Sequence, residues 1–472
     1  MQKVELGKLA HSNCSHLIIT SPTRSPKATS ATMTTSATIN TTTKANSFDI
    51  KPFGQGLNFG AEIRGLDLNN MTGNDGCDST GSSPLFGETP ADEAIVDDDV
   101  NKFREVIQQY LVVVVKGQAN ELPSKNWELL RRLDPDSPEL TDDEWAKMYN
   151  PEGKGILVIS NILQLDGKTQ VNHFVRQAKL GYSLIPGAGR LYLMGKGYQG
   201  EDHFGLKDVT IEEPFADLYY SKPLPKEDFE KGIARFQSWH MDGPQYVVHG
   251  PIYTSFRCIK LPEGEQTVDW ADGSGLTKKV KPGRTAFFST AQLYDMLTPE
   301  EQQMADHSWC EQMFYPYEWI LGCRGNPNGL NVACEGREVP FDVMEAMPRK
   351  PKNQLVLPLV WMNSVTGKKH FQVQPNTVRR LFIRNNAEET PRVIEDVKEI
   401  RDFLTKLQIR VLRPENIYVG PEEEGDHVFW YNWGVMHTKI DYPVKYGVRT
   451  AHQGWIPASR APTGPVPISG QE

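Results

Sequence analysis

The stretch HVFWYNWGVMHTKI (427–440) is rich in aromatic and β-branched residues, which is the composition of a buried β-strand. Four further stretches share this character: YVVHGPIYTSFRCIKL (246–261), RTAFFST (284–290), NQLVLPLVWM (353–362) and YGVRTAHQGWI (446–456). Many short strands with few helices predict a mainly β fold with flanking helices, a barrel or jelly roll rather than a doubly wound sheet.

Three segments carry the signals of helices instead. In DDDVNKFREVIQQYL (97–111), apolar residues recur at helical spacing behind acidic residues, and VVVVKGQ (112–118) then indicates a buried strand. LTPEEQQMAD (297–306) contains a capping box with proline at the first helical position, so it predicts a helix start. The third helix is predicted over RVIEDVKEIRDFLTKLQI (392–409).

The 472 residues divide into a tail and one long folded region. Residues 1–47 are rich in Ser, Thr and Ala and predict a disordered tail, and 48–472 predict a single domain with a flexible insertion at 73–93. The tail favours a cytoplasmic protein, because a single arginine is few for a transit peptide. Organelle import through the tail and a true start at Met33 stay open as alternatives.

The bulk composition excludes several classes of partner. A net charge of −9 argues against nucleic acid or an anionic membrane surface, and no apolar run is long enough to span a bilayer. The six cysteines form no C-x-x-C pair, so they predict no zinc site and fit a reducing compartment. The expected partner is a small-molecule substrate, and the sequence leaves the oligomeric state open.

A His-x-Asp pair, His240 and Asp242, lies in RFQSWHMDGPQY (235–246). Eleven histidines and 60 acidic residues among 472 would supply about 1.4 His-x-acid pairs by composition alone, so the pair means nothing by itself. An Fe(II) site needs two imidazoles and one carboxylate on one face, with open positions beside them. His437, 197 residues later, is the candidate third ligand, and a hydrogen-bonded core histidine is the alternative.

Arg449 follows His437 by twelve residues, in the otherwise apolar stretch YGVRTAHQGWI. A guanidinium there is costly unless it meets an anion, and its planar fork suits a carboxylate. A surface salt bridge is the alternative interpretation.

The order of these blocks resembles that of the taurine/alpha-ketoglutarate dioxygenase (TauD/TfdA) family of Fe(II)- and 2-oxoglutarate-dependent oxygenases. The blocks are GAEIRGLDL (60–68), LVVVVKGQ (111–118), SWHMD (238–242), LPEGEQT (261–267) and GDHVFWYNWGVMH (425–437) followed by GVRTAHQ (447–453). The resemblance implies a double-stranded β-helix (jelly roll), with Fe(II), 2-oxoglutarate as co-substrate and O2. It also implies that His240, Asp242 and His437 hold the metal, and that Thr267 and Arg449 bind 2-oxoglutarate.

Within that family the chain most resembles the fungal xanthine-hydroxylase-like branch, through stretches such as QTVDWADGSG (266–275) and GRTAFFST (283–290). Gln453 stands where the sulfonate oxygenases carry a second basic residue, which disfavours a sulfonate. Trp455 stands where the xanthine branch is expected to have Asn. Gln245, Tyr246, Gln453 and Trp455 are the candidate substrate residues, with ordinary strand or core roles as the alternative.

The resemblance therefore predicts a dioxygenase that hydroxylates a small polar organic substrate, xanthine or a related heterocycle, while 2-oxoglutarate becomes succinate and CO2. A sulfonate, amino-acid or secondary-metabolite oxygenase of the same family is the alternative activity. A non-catalytic jelly-roll binding protein is the competing class, and an intact set of metal and co-substrate residues counts against it.

Overall fold

The fold consists mainly of short β-strands, and the computed structural model describes residues 48–54, 56–72, 91–141, 161–165, 168–172, 184–212, 219–243, 249–346 and 355–468. Phe48 and the described residues after it belong to one compact unit, Ala45–Glu472. The predicted tail, 1–47, and residues 73–90 of the predicted insertion lie outside the described ranges.

The strands, in chain order, are β1 (Asp49–Pro52), β2 (Ala61–Arg64), β3 (Val112–Val115), β4 (Asn161–Leu165), β5 (Lys168–Asn172), β6 (Tyr192–Tyr198), β7 (Asp202–His203), β8 (Leu206–Lys207), β9 (Thr210–Ile211), β10 (Ile233–Ala234), β11 (Tyr253–Lys260), β12 (Gln266–Asp269), β13 (Thr277–Val280), β14 (Thr285–Ser289), β15 (Trp309–Gln312), β16 (Val356–Pro358), β17 (Val360–Met362), β18 (Lys369–Phe371), β19 (Val378–Ile383), β20 (Arg392–Ile394), β21 (Tyr418–Gly420), β22 (His427–Tyr431), β23 (Val435–Lys439) and β24 (Arg449–Trp455).

The α-helices are fewer and mostly short: α1 (Ala91–Tyr110), α2 (Pro123–Leu133), α3 (Lys226–Glu230), α4 (Thr290–Asp295), α5 (Pro299–His307), α6 (Pro316–Trp319), α7 (Phe341–Glu345) and α8 (Val397–Gln408). None of the helices in the described ranges combines the length and the apolar character that crossing a membrane requires.

An eight-stranded sheet forms the centre of the fold, in the order β1-β2-β3-β22-β11-β24-β6-β9. Its central strands β3, β22 and β24 bury every residue. This burial explains the apolar sequence of β3 and, after His427, of β22, whereas β24 buries several polar residues. Helices α1 and α2 cover one face, where Phe103 of α1 meets Phe429 of β22 edge-to-face at 5.1 Å.

Smaller sheets complete the β architecture. A three-stranded sheet runs β21-β14-β23, a second runs β10-β12-β13, and a four-stranded sheet runs β16-β15-β19-β20. The remaining strands pair as β17-β18, β4-β5 and β7-β8. The prediction of a mainly β fold with flanking helices is therefore confirmed at that level.

One predicted helix start agrees with the structure and another does not. The capping box of α5 is present, because Thr298 accepts from the Glu301 N–H and the Glu301 carboxylate accepts from the Thr298 N–H. The prediction of one helix over 392–409 is wrong at its start. Arg392–Ile394 pair with β19, and α8 begins only after Asp396, whose carboxylate caps the Glu399 N–H at 2.8 Å.

Helix α1 begins at Ala91, so it includes the last three residues of the interval predicted as a flexible insertion. It ends at Tyr110, and Leu111 turns the chain into β3 with a left-handed φ of 67°. The turn is tight enough that the buried strand VVVV follows the helix directly.

Candidate active site

Two backbone segments place His240 and His437 side by side. The His240 N–H donates to the His437 carbonyl at 3.0 Å and the His437 N–H donates to the His240 carbonyl at 2.9 Å. The two residues form a hydrogen-bonded antiparallel pair, and His437 is also paired with Phe287 of β14. Directly opposed residues present their side chains on the same face, so the imidazoles meet with ring centroids 4.3 Å apart.

Asp242 joins the two histidines because it lies two residues beyond His240 in an extended segment, where side chains return to the same face. Its Oδ1 lies 3.8 Å from His240 Nε2 and 3.4 Å from His437 Nε2. One ligand atom from each of the three residues lies within 4.8 Å of the others, which is the arrangement of a candidate metal site. Among the described residues this is the one such group of three or more.

The protonation states of His240 and Asp242 suit a metal site. Burial lowers the pKa of His240 to about 4, helped by the neighbouring His437 charge, so the ring is neutral at physiological pH. Its Nδ1 lies 2.8 Å from the Ser238 carbonyl, which can only accept, so Nδ1 carries the proton and Nε2 keeps its lone pair. Burial opposes ionisation of Asp242, yet charge and hydrogen bonding from His437 hold its pKa below the usual value.

Aromatic rings fix the orientation of His437. Phe287 stacks on its imidazole at a centroid distance of 5.8 Å and Trp430 packs against it at 4.9 Å. Within the described residues, His437 Nδ1 is buried with no hydrogen-bond partner. Two imidazoles and one carboxylate on a single face are the donor set that non-haem Fe(II) sites use.

Asn432 links the backbones of Asp242 and Pro251. Its Oδ1 accepts from the Asp242 N–H at 2.9 Å, and its Nδ2 donates to the carbonyls of Asp242 at 3.1 Å and Pro251 at 3.0 Å. Gly243 turns the chain out of the segment with φ 68°, where a Cβ would lie 2.2 Å from the Pro251 ring. Trp433 adds an indole N–H bond to the Gly250 carbonyl at 3.0 Å.

Arg449 is buried, with 3% of its surface exposed, at the start of β24. Its guanidinium stacks over Phe256 at 5.0 Å, and Nη2 lies 3.3 Å from Thr285 Oγ1 on β14. Among the described residues, no carboxylate lies within ion-pair distance of it, and its Nε has no hydrogen-bond partner. A desolvated guanidinium in this state is suited to receive an anionic ligand.

A second buried guanidinium, that of Arg284, has a different environment. It donates to the carbonyls of Pro262 at 3.2 Å and Pro282 at 2.7 Å, so its hydrogen bonds are internal. Burial lowers the pKa of Arg284, and the nearby Arg449 charge lowers it further. The two like charges make the surroundings of Arg449 electropositive. Within the described residues the Nε of each guanidinium lacks a hydrogen-bond partner, but Arg284 bonds backbone carbonyls through its terminal nitrogens, whereas Arg449 has the single long contact with Thr285.

The structure brings some of the predicted site residues together and separates others. His240, Asp242 and His437 converge, and Gln453 reaches the same group through a hydrogen bond to Asp242 Oδ2 at 3.0 Å. Trp455 is buried beside Trp319 in an apolar cluster, as core packing predicts: Met313, Phe314, Tyr315, Ile320, Cys323, Val332 and Met344 share that cluster.

Thr267 lies in β12, half-buried, with its N–H donating to the Gly232 carbonyl at 2.9 Å. None of the contacts found in the described ranges joins Thr267 to Arg449 or to the three clustered ligands, so its role stays a prediction. Gln245 and Tyr246 lie outside the described residues.

Asn432 is the site residue whose role the sequence reasoning missed. A polar side chain interrupting the apolar run FWYNWG was the available signal, since a buried amide must find hydrogen-bond partners. The other buried histidines are accounted for elsewhere. His452 pairs with His203 at 2.7 Å, and His427 lies 2.5 Å from Glu121 Oε2.

Comparison with known proteins agrees with this site. The model of the family "Taurine catabolism dioxygenase TauD, TfdA family" matches residues 129–455. A protein of Phomopsis amygdali named alpha-ketoglutarate-dependent dioxygenase fc-dox is 60% identical, over 90% of this chain and 96% of its own length. Alpha-ketoglutarate-dependent dioxygenase bsc9 of Alternaria brassicicola is 50% identical, over 92% of this chain and 100% of its own length.

A xanthine dioxygenase, xanA of Emericella nidulans, is 30% identical over 82% of this chain and 90% of its own length. The resemblance predicted from the sequence is thus confirmed, and fc-dox and bsc9 are more similar to this chain than xanA is. Such enzymes use Fe(II), 2-oxoglutarate (alpha-ketoglutarate) and O2. The chain belongs to the TauD/TfdA family and is a 2-oxoglutarate-dependent dioxygenase.

Proposed function

We propose that His240, Asp242 and His437 hold Fe(II), and that Arg449, together with Thr267, binds 2-oxoglutarate. The observation that carries this proposal is that one ligand atom from each of these three metal-site residues lies within 4.8 Å of the other two. With dioxygen, the iron and the co-substrate supply the oxidising chemistry, which couples hydroxylation of the substrate to release of succinate and CO2. The chain's own share is to position these groups and to exclude water.

The position of Arg449 supports its assignment to the co-substrate. It lies four residues before Gln453 on β24, so both side chains leave the same face of the strand. Gln453 contacts a metal-ligand candidate and Arg449 contacts Thr285, two residues before the partner of His437 on β14. A dicarboxylate bound to the iron at one end would therefore find Arg449 near its other end.

The same contacts support a double-stranded β-helix. We infer that the eight-stranded sheet and the β21-β14-β23 sheet are its two facing halves. Arg449 and Gln453 extend from β24 of the first sheet, while Thr285 and His437 belong to the second. Side chains that meet between two sheets leave the site enclosed by both, as a jelly roll requires.

We propose a small organic molecule as the substrate, with xanthine or a related heterocycle as one candidate. Two features weigh against a xanthine-like pocket: Gln453 has an amide N–H committed to Asp242, and Trp455 lies in an apolar cluster. The names of fc-dox and bsc9 specify no substrate. A sulfonate, an amino acid and a secondary metabolite are the other outcomes of a screen.

The first experiment measures succinate formed from 2-oxoglutarate with Fe(II) and ascorbate. His437→Ala is expected to abolish turnover, because it removes one of three metal ligands. His203→Ala is the matched control, since it removes another buried histidine. His203 lies 2.7 Å from His452, whose side chain leaves the face of β24 opposite to that of Gln453. Equal succinate yields from both variants would refute the assignment of the metal site.

The second experiment identifies the substrate. The enzyme is incubated with xanthine, a sulfonate, an amino acid and apolar secondary metabolites, and hydroxylated product is measured together with succinate. Product from xanthine alone supports the purine proposal, while product from another class assigns that class instead. Comparison with Trp455→Asn, which restores the residue expected in the xanthine branch, shows whether this position selects the substrate.

A further inference from the structure

The two oxygens of the Asp242 carboxylate have different neighbours. Oδ1 faces both imidazoles, at 3.8 Å from His240 Nε2 and 3.4 Å from His437 Nε2. Oδ2 lies 3.0 Å from Gln453 Nε2. An ionised carboxylate only accepts hydrogen bonds, so the amide must present its N–H here and the contact is a genuine donor–acceptor pair.

We propose that Gln453 is a positioning residue for the metal site, which turns Asp242 so that Oδ1 alone faces the iron. This inference rests on the proposed function, because it assumes that Asp242 is a ligand. It differs from the role predicted from the sequence, in which Gln453 contacts the substrate. The amide engages the oxygen that the imidazoles do not face, so it acts through Asp242.

The backbone around Gln453 is suited to this task. Gln453 lies in the middle of β24, paired with Phe256 of β11 on one side and Tyr192 of β6 on the other. The side chain is 6% exposed. A residue whose strand pairs with a neighbouring strand on each side holds its side chain in a more precise position than a loop residue does.

Asp242 is held from a second direction as well. Asn432 fixes its backbone through bonds to both its N–H and its carbonyl, at 2.9 and 3.1 Å. With the backbone fixed, rotation of the carboxyl group is the freedom that remains, and the Gln453 N–H restricts it. A carboxylate that uses one oxygen leaves more positions open on the metal for 2-oxoglutarate and dioxygen than one that uses two.

The test measures binding of Mn(II) alone to the full-length apoprotein, by electron paramagnetic resonance of the free ion. Gln453→Met keeps the length of the side chain and removes the donor, and Gln453→Asn keeps the amide but shortens its reach by one methylene. Outer partners of metal ligands typically contribute 10–100-fold to affinity, so both variants are expected to raise the Kd for Mn(II) by about that factor.

Gln408→Met is the matched control. Gln408 is also buried and also donates through Nε2, to the Val373 carbonyl at 2.6 Å, but it lies in α8 and does not touch Asp242. It is expected to lose stability to a similar degree and to keep the wild-type Kd. Urea unfolding of each apoprotein identifies any variant whose loss of metal binding is a loss of fold.

The outcomes separate this inference from the proposed function. If the wild type binds no Mn(II), the metal-site assignment fails. If the wild type binds and both Gln453 variants bind equally well, only the positioning role fails. If a Gln453 variant keeps the wild-type Kd for Mn(II) but its succinate release no longer rises when substrate is added, the positioning role is wrong and Gln453 contacts the substrate instead.

Discussion

Replacing Arg449 by Met is expected to stabilise the protein without its ligands while it abolishes the binding of 2-oxoglutarate. The opposite signs arise because Arg449 is buried to 3% exposure without an acidic partner among the described residues. A charge buried in this way costs several kcal/mol even after relaxation of its surroundings. Methionine fills a similar volume without that cost.

The magnitude follows from the contacts that Arg449 does make. Stacking of the guanidinium over Phe256 offsets up to about 2 kcal/mol of this desolvation cost. The long hydrogen bond to Thr285, at 3.3 Å, offsets about 1 kcal/mol more of the cost. The remaining cost is roughly 1–2 kcal/mol, so Arg449→Met should raise the unfolding free energy of the apoprotein by about that amount.

The assay is urea unfolding with and without Mn(II) and 2-oxoglutarate. At a co-substrate concentration of 100 times the Kd, the wild type should gain about 2.7 kcal/mol, and Arg449→Met should gain nothing beyond the contribution of the metal. Arg284→Met is the matched control, because Arg284 is equally buried but bonds the carbonyls of Pro262 and Pro282. It should destabilise the apoprotein, since it leaves those carbonyls unsatisfied.

Two results would refute this reasoning. If Arg449→Met destabilises the apoprotein as much as Arg284→Met does, the guanidinium has internal partners that satisfy it. If Arg449→Met is still stabilised by 2-oxoglutarate to the wild-type extent, the co-substrate binds elsewhere.

Three further perturbations test other parts of the structure. Burial lowers the pKa of His370 from 6.5 to about 4, so only the unfolded state takes up its proton between those values and stability falls as the pH drops. His370→Gln should reduce the slope of unfolding free energy between pH 6 and 4.5 by about 1.4 kcal/mol per pH unit, and an unchanged slope contradicts this. Lys116→Met leaves Asp426, 2.7 Å away and 1% exposed, as an unpaired buried carboxylate, and should cost about 3–5 kcal/mol in urea unfolding. A second change, Asp426→Asn, should recover part of that loss, and no recovery would argue against the pair. Asn432→Leu should weaken Mn(II) binding and lower the free energy of unfolding by about 1–3 kcal/mol, because it removes both hydrogen bonds that fix the Asp242 backbone. An unaltered Kd for Mn(II) would mean that Asp242 keeps its position without Asn432.

The sequence predicted the strands well where both faces are buried. Val112–Val115 and His427–Tyr431 bury every residue, so local composition carries the strand signal. The prediction of secondary structure from the sequence was wrong at Arg392–Ile394, because these residues match the start of a helical pattern. Pairing with β19 and the Asp396 cap, both of which depend on neighbours in space, decide the outcome there.

The sequence by itself determined the chemistry of the site. His240 and Asp242 share a face because they lie two apart in an extended segment, and their residue types make them candidate metal ligands. An arginine in an otherwise apolar stretch predicts an anion partner from desolvation alone. The structure buries Arg449, and the anion stays a prediction.

Only the tertiary structure decided which residues act on one another. His437 meets His240 through a pairing across 197 residues, and no local pattern encodes that register. The contact of Gln453 with Asp242 likewise joins residues 211 positions apart in the chain, so the sequence could predict the residue but not its partner. Residue types set what a side chain can do, whereas the long-range packing of strands sets what lies within its reach.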